Sequence, residues 1–211
     1  MAETLEATAA NPLSIQVIRH GGWAKPDIKS VVYGDDRAIL KDFSDKSWPV
    51  RLLGRHQVRR EMRALRRLQG LVGIPRCYGE AGSVGILMEP MEGERITRWC
   101  RAKRAEAGPM FKRLADLIAQ IHARGVAHID LRKRDNILIT PDGGPCIIDF
   151  NASFCFDPAG LGARMLFPIL RRIDDSALLK WKSRLAPELL TRQEAARHRF
   201  MSRLRRLWIF N

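Results

Sequence analysis

The segment HIDLRKRDNILI (128–139) places His128 and Asp130 ahead of a knot of Arg and Lys, then Asn136, then an apolar run. A second carboxylate, Asp149, closes the apolar stretch CIIDF. A carboxylate at the end of a buried strand is costly unless something pairs with it. Asn136 opens the strand ILI, and the turn TPDGG folds ILI back on CIIDF as a hairpin, which brings Asn136 and Asp149 to the same end. With Asp130 folded beside them, that end holds two carboxylates and an amide. Such hard oxygen donors suit Mg2+, which uses few protein ligands and completes its shell with water and substrate phosphates.

Two further residues point the same way. Lys41 lies in AILKDF, on the same strand face as Ile39, and Glu61 follows twenty residues later on an Arg-rich helix. A strand lysine paired with a helix glutamate is a means of holding a phosphate-binding cation in place. The positions three and four residues from Glu61 are Gln57, Val58, Ala64 and Leu65, none of them cationic. Glu61 therefore sits beside an apolar stripe with no local ion-pair partner.

These residues need a scaffold. At 211 residues with 45% hydrophobic content, the chain can build one domain with a proper core, or two small lobes sharing a cleft. IQVIRH (15–20), IKSVVYG and RAILKDF read as strands, the last two joined across Gly34-Asp35-Asp36. From Arg51 to Leu68 the apolar residues Leu52, Val58, Met62, Leu65 and Leu68 recur at near-helical spacing. RCYGEAG and VGILMEP resume strand character. After Pro90 the pattern turns helical: PMFKRLADLIAQIHARG (109–125), then LGARMLFPILRRI, DSALLKWKSRL and TRQEAARHRFMSRLRRLWIF, the last opened by a Thr191/Glu194 capping box. Residues 1–14 read as a loose tail, 15–90 as a β-rich first lobe, and 91–211 as a helical second lobe ending in a basic amphipathic helix, 192–210.

The formal net charge of +14 implies a polyanionic neighbour: a phosphorylated substrate, an anionic membrane surface or nucleic acid. The four cysteines show no CxxC pair and read as reduced thiols. The start, MAETLEATAANPL, has no apolar secretory core, and no run approaches the ~18 apolar residues of a membrane span. The expected location is the cytoplasm, with peripheral contact to the inner face of the cytoplasmic membrane as an added option.

In order and separation, the motifs resemble those of protein kinases. AILK stands where VAIK would, HIDLRKRDN where HRDLxxxN would, and IIDFN where DFG would, with Glu61 between the first two. The resemblance covers roughly residues 15–160. It implies an α+β, bilobal protein-kinase-like fold with a β-rich N-lobe and a shortened helical C-lobe, and an ATP- and Mg2+-dependent phosphotransferase. Lys41, held by Glu61, would contact the ATP phosphates. Asn136 and Asp149 would hold Mg2+, and Asp130 would handle the acceptor hydroxyl. The loop HGGWAKPD, with Gly21, Gly22 and Lys25, would cover the phosphates, and LMEPM (87–91) would be the hinge, with Glu89 and Met91 at the adenine.

Departures are equally specific. Asn136 stands six residues after Asp130, one more than the kinase signature, so Asp135 and Asn136 are both candidate metal ligands; the run NIL favours Asn136. Ile129 replaces the arginine that senses a phosphorylated activation loop, and Asn151 replaces the glycine of DFG. APE (186–188) falls in a helix-rich stretch and reads as coincidence. A chain this compact resembles the small atypical kinases: RIO kinases, the kinase of the tRNA threonylcarbamoyl-modification complex, and the lipopolysaccharide core (Kdo-kinase-like) enzymes.

Three readings follow. First is a kinase of a lipopolysaccharide-core sugar at the membrane face, suggested by Phe200, Leu204, Leu207 and Trp208 on one face of the arginine-rich last helix. Second is a small atypical Ser/Thr protein kinase or ATPase, whose seven arginines between Arg51 and Arg67 would meet RNA, a less favoured partner. Third is a pseudokinase binding module, against which the joint presence of Lys41, Glu61, Asp130, Asn136 and Asp149 argues.

Overall fold

A computed structural model of the chain describes residues 15–157, 160, 162 and 165–199. The chain divides into two compact units, one of Met1–Val58 with Cys77–Pro90 and one of Arg59–Arg76 with Met91–Asn211.

The first unit is a five-stranded antiparallel sheet in the order β1-β2-β3-β5-β4. Its strands are β1 (Gln16–Arg19), β2 (Asp27–Tyr33), β3 (Asp36–Asp42), β4 (Cys77–Ala81) and β5 (Gly85–Met88). The expected hairpin is present: Tyr33 pairs with Asp36 across a two-residue turn whose Gly34 has φ +63°, a conformation that favours glycine.

Helix α1 (Trp48–Leu68) begins three residues earlier than the apolar spacing suggests, with Pro49 in its first turn, where no N–H is needed. Val50, Val58, Met62, Leu65 and Leu68 are buried, but Leu52 is 63% exposed and does not belong to the core stripe. The inner position is taken by Gly54, where an added Cβ would stand 2.5 Å from the Phe43 ring. Arg51, Arg55, Arg59, Arg63 and Arg67 recur at i,i+4, and each like-charge pair costs a few tenths of a kcal/mol, roughly.

The second unit contains α2 (Ile96–Ala102), α3 (Ala107–Ala123) and α4 (Phe167–Leu185), with a three-stranded sheet β6-β8-β9 and a two-stranded pairing of β10 with β7. The strands are β6 (Glu94–Arg95), β7 (Val126–Ala127), β8 (Ile137–Ile139), β9 (Pro145–Ile147) and β10 (Phe154–Cys155). Helix α3 buries Met110, Phe111, Leu114, Leu117, Ile118 and Ile121 and stops at Gly125, φ +70°, as its sequence predicts.

FPILRRI and DSALLKWKSRL, read as parts of two helical segments, belong to one helix. Helix α4 runs unbroken through Asp174 and Asp175, and Asp174 is fully buried. APE forms the turn after α4, where Glu188 pairs with Arg104 at 2.9 Å on the surface. The capping box forms as expected: Thr191 N donates to Glu194 Oε2 (2.8 Å), and Glu194 N donates to Thr191 Oγ1 (3.1 Å). Residues 192–199 are helical; the tail 1–14 and the rest of the predicted helix 192–210, including Trp208, lie outside the described residues. None of the four cysteines is joined in a disulfide, and no described helix is long and apolar enough to cross a membrane.

Gly54 yields a prediction with an inverted sign. In an open helix, Gly→Ala stabilises by up to about 1 kcal/mol. Against the buried Phe43 ring, Gly54→Ala should instead cost about 1–3 kcal/mol in urea unfolding. A more stable variant would show that Phe43 yields without loss.

Candidate active site

The β8–β9 hairpin sets one end of the site. Ile137 pairs with Ile147, and beyond the last pair Ile148 N donates to Asn136 O at 3.0 Å. Asp149 follows at once, in the left-handed region at φ 68°, ψ 64°. Its neighbour Phe150 is fully buried and donates its N–H to Glu61 Oε1 at 3.2 Å. Glu61, 3% exposed, is thus buried beside the core stripe, as its neighbours suggested. One residue earlier on α1, Arg60 donates to the carbonyls of Ala152 (2.7 Å) and Ser153 (3.0 Å). The chain leaving Asp149 is held at an N–H by one side chain of α1 and at two carbonyls by the next.

The loop after β7 carries Asp130. Asn136 Nδ2 donates to Asp130 O (3.0 Å) and Oδ2 (3.2 Å), and Lys133 Nζ meets the same Oδ2 at 2.5 Å. The hydrogen bond to Asp130 raises the Lys133 ammonium above its ordinary pKa, with Asp149 adding to the field, so both carboxylates act on one cation. Asp135, by contrast, is 57% exposed and turns to Arg95 Nε at 2.6 Å. The extra residue of the loop is absorbed in a 3-10 turn, Arg134–Asn136, that sends Asp135 outward and Asn136 inward.

His128 and Ile129 stand at the root of this loop. His128 Nε2 lies 3.1 Å from Ile148 O, and Asp130 N donates to Nδ1 at 3.3 Å. Together these require the neutral tautomer protonated at Nε2. Complete burial pushes the imidazole pKa down, against the opposing fields of Asp174, Asp149 and Asp130. Ile129 has φ 58°, a costly setting for a β-branched residue.

What holds it there is Asp174 of α4. Its Oδ2 accepts from His128 N (2.9 Å) and lies 3.0 Å from His122 Nε2, while its Oδ1 accepts from Ile129 N (2.8 Å). Two turns along the same helix face, Trp181 Nε1 donates to Leu131 O (2.7 Å), and Lys180 Nζ donates to Arg132 O (2.8 Å).

The remaining expected residues belong to the first unit. Lys41 on β3 is cross-strand neighbour to Ile28 on one side and Ile86 on the other, so its stem is flanked by aliphatic side chains. In HGGWAKPD, Gly21 N donates to Asp27 Oδ1 (2.7 Å), and Lys46 Nζ bonds Asp27 (2.9 Å) and Gly21 O (3.3 Å). The Lys46 hydrogen bond holds the Asp27 carboxyl below the ordinary range. A Cβ on Gly21 would lie 2.2 Å from Lys25 O, so this glycine is required by its own loop. Its N–H is engaged by Asp27, while Gly22 and Lys25 are exposed. Glu89 and Met91 lie where the first unit ends, at Pro90, and the second resumes.

The protein kinase domain family matches residues 38–165, more than half of the chain. The chain belongs to that family. Among its relatives are CBL-interacting protein kinase 25 of Oryza sativa subsp. japonica (29% identical over 171 residues, 74% of this chain and 31% of the relative) and CBL-interacting serine/threonine-protein kinase 21 of Arabidopsis thaliana (33% over 103 residues, 46% and 24%). The chain thus spans a third or less of the length of these relatives. A solved structure of the Rio2 kinase-ADP/Mg2+-phosphoaspartate complex from Chaetomium thermophilum superposes with TM-score 0.58 over 82% of this chain and 56% of the other, at 18% identity. The fold is kinase-like.

Within this kinase domain, Asp130, Asn136, Asp149 and Glu61 are brought together in the second unit. The donor set fits a hard cation. Asn136 commits its amide nitrogen to Asp130 and keeps Oδ1 as acceptor, and Asp149 adds a carboxylate. Sequence reading missed three contributors: His128 as a buried hinge of the loop, Lys133 as the partner of Asp130, and Asp174. The signal for Asp174 was available. It shares one helical face with Ala177 and Trp181, at i, i+3 and i+7, and a carboxylate on an apolar face needs a buried partner.

The buried neutral His128 predicts a pH dependence. Its folded pKa is depressed, so the unfolded state binds the extra proton first. The contribution is fully present above the unfolded value of about 6.5 and is lost as pH falls from there towards the folded pKa. Unfolding free energy measured from pH 7.5 to 5 should decline, and His128→Gln should remove that part of the decline. An unchanged slope in the variant would contradict the assignment.

Proposed function

We propose that this kinase domain is an ATP-dependent phosphotransferase that moves the γ-phosphate of ATP to a hydroxyl, with a protein Ser/Thr side chain as acceptor. The observation that carries the reading is the treatment of Asp130. Its Oδ2 is engaged by Asn136 and Lys133. That leaves Oδ1 to take the proton of an incoming hydroxyl.

In the proposed reaction Asp130 orients the hydroxyl oxygen towards the γ-phosphorus. The new P–O bond forms as the bond to the β,γ-bridging oxygen breaks, ADP leaves, and the hydroxyl proton passes to Asp130 and on to solvent. Asn136 Oδ1 and Asp149 would hold Mg2+, which when bound offsets the charge of the ATP phosphates. Lys133 pairs with Asp130 and feels the field of Asp149, and its ammonium would also steady the transferring phosphoryl group. Lys41 would contact the α- and β-phosphates, and the backbone of 87–91, at Glu89 and Met91, would receive adenine. Use of ATP accords with the cytoplasmic location expected from sequence.

The relatives are named as protein kinases, which favours a protein hydroxyl over a lipopolysaccharide-core sugar. Most of the basic helix that suggested the sugar and a membrane surface lies outside the described residues. Labelled ATP offered to generic protein substrates and to lipopolysaccharide core separates the two; transfer to the sugar alone would restore the first reading. Asp130→Asn should lower turnover by roughly 10²–10⁴-fold at nearly unchanged ATP affinity. Asp149→Ala should abolish Mg2+-dependent turnover. Equal loss of ATP affinity in Asp130→Asn would place that residue among the metal ligands instead.

A further inference from the structure

Helix α1 carries seven arginines, and none of them makes an ion pair among the described residues. Its only carboxylate, Glu61, is buried. Arg60 is committed to the carbonyls of Ala152 and Ser153, and Arg55 donates its Nε to Ser83 O at 3.3 Å, but Arg51, Arg55, Arg59, Arg63 and Arg66 are all exposed, Arg55 with its terminal nitrogens still to offer. At 3.6 residues per turn, Arg55, Arg59, Arg63 and Arg66 fall on one outward stripe, with successive residues about 4.5–6 Å apart along the axis. The same stripe continues to Leu52 and Trp48, which are 63% and 76% exposed. Because the helix starts at Trp48, an indole stands in line with the arginines, a feature hidden when the helix is taken to begin at Arg51.

Such a row is uncomfortable alone. Like charges at i,i+4 repel, and no local carboxylate relieves them. A ligand with repeating negative charge removes the repulsion, and one with flat apolar faces also covers the indole. A bilayer fits less well: an interfacial helix buries its apolar face in lipid, and here Val50, Val58, Met62 and Leu65 already lie in the protein core. Phosphates in a row with bases between them match both features, as in single-strand binding by basic tracks with aromatic platforms.

We propose that the outward stripe of α1, from Trp48 to Arg66, binds a single nucleic-acid strand, with the arginines on successive phosphates and Trp48 stacked on a base. The site is separate from the phosphotransfer residues, and it stands whether or not the acceptor reading above is correct.

The test uses the full chain with fluorescein-labelled U12 and dT12, followed by anisotropy from 50 to 300 mM salt. Four phosphate contacts predict a slope of log Kobs against log salt of about −3. Replacing Arg59, Arg63 and Arg66 together by Ala should weaken binding at least tenfold and flatten the slope by about 2. All three are exposed, so the unfolding midpoint should not fall. Trp48→Ala should weaken binding roughly five- to hundredfold and leave the slope unchanged; this single change decides the matter should the triple variant fail to fold. A control replacing the exposed Arg101, Arg171 and Arg172 by Ala removes the same charge elsewhere and should leave binding within about twofold. Equal weakening by the control would reduce the effect to net charge and overturn the proposal. So would no effect of Trp48→Ala, or binding to vesicles with 30% anionic lipid without binding to either oligonucleotide.

Discussion

The carboxylate of Asp174 is the constraint on which the candidate site of the second unit rests. It is fully buried in α4, and its two oxygens are shared among the N–H groups of His128 and Ile129 and the ring of His122. A buried carboxylate without such partners would be strongly destabilising, and so would two buried N–H groups without an acceptor. Each requirement is met by the other. The consequence is a backbone set at Ile129 in a conformation that a β-branched residue avoids, with Asp130 launched from it. Trp181 and Lys180 take the next carbonyls, so one helix face fixes the loop at its donors and its acceptors.

Helix α1 does for Asp149 what α4 does for Asp130. Glu61 accepts from Phe150 N, and Arg60 donates to the carbonyls of Ala152 and Ser153. Both acidic residues that matter are thus next to or within left-handed backbone, at Ile129 and at Asp149 itself, and each is flanked by a helix that grips the chain. His128 joins the two, through Ile148 O on one side and Asp130 N on the other. Ile129 in place of an arginine leaves no guanidinium beside Asp130 from that position. The loop is set by buried backbone hydrogen bonds instead.

Much of this was legible in the sequence because the signals are local. Gly34 between two alternating runs marks a hairpin, Thr191 and Glu194 mark a helix start, and ILI-TPDGG-CIIDF brings Asn136 to Asp149. Glu61 could be read because none of its helical neighbours could pair with it. What was not legible depends on contacts far apart in sequence. The helical face of Asp174 calls for a buried partner, but nothing local names it, and only His128, 46 residues earlier, shows what that partner is. Leu52 was misplaced because Gly54, an apparent helix breaker, is the residue that fits against Phe43. That Asp135 faces outward and Asn136 inward rests on one 3-10 turn that no spacing rule contains.

Amide hydrogen exchange tests the central claim without needing to know the acceptor. In the wild-type protein the N–H groups of His128 and Ile129, both donated to a fully buried carboxylate, should exchange only through global unfolding. In Asp174→Ala the account predicts that these two amides exchange orders of magnitude faster, while amides in the β2–β3 ladder of the first unit keep their rates. Unchanged protection at His128 and Ile129, or a uniform loss across both units, would contradict it.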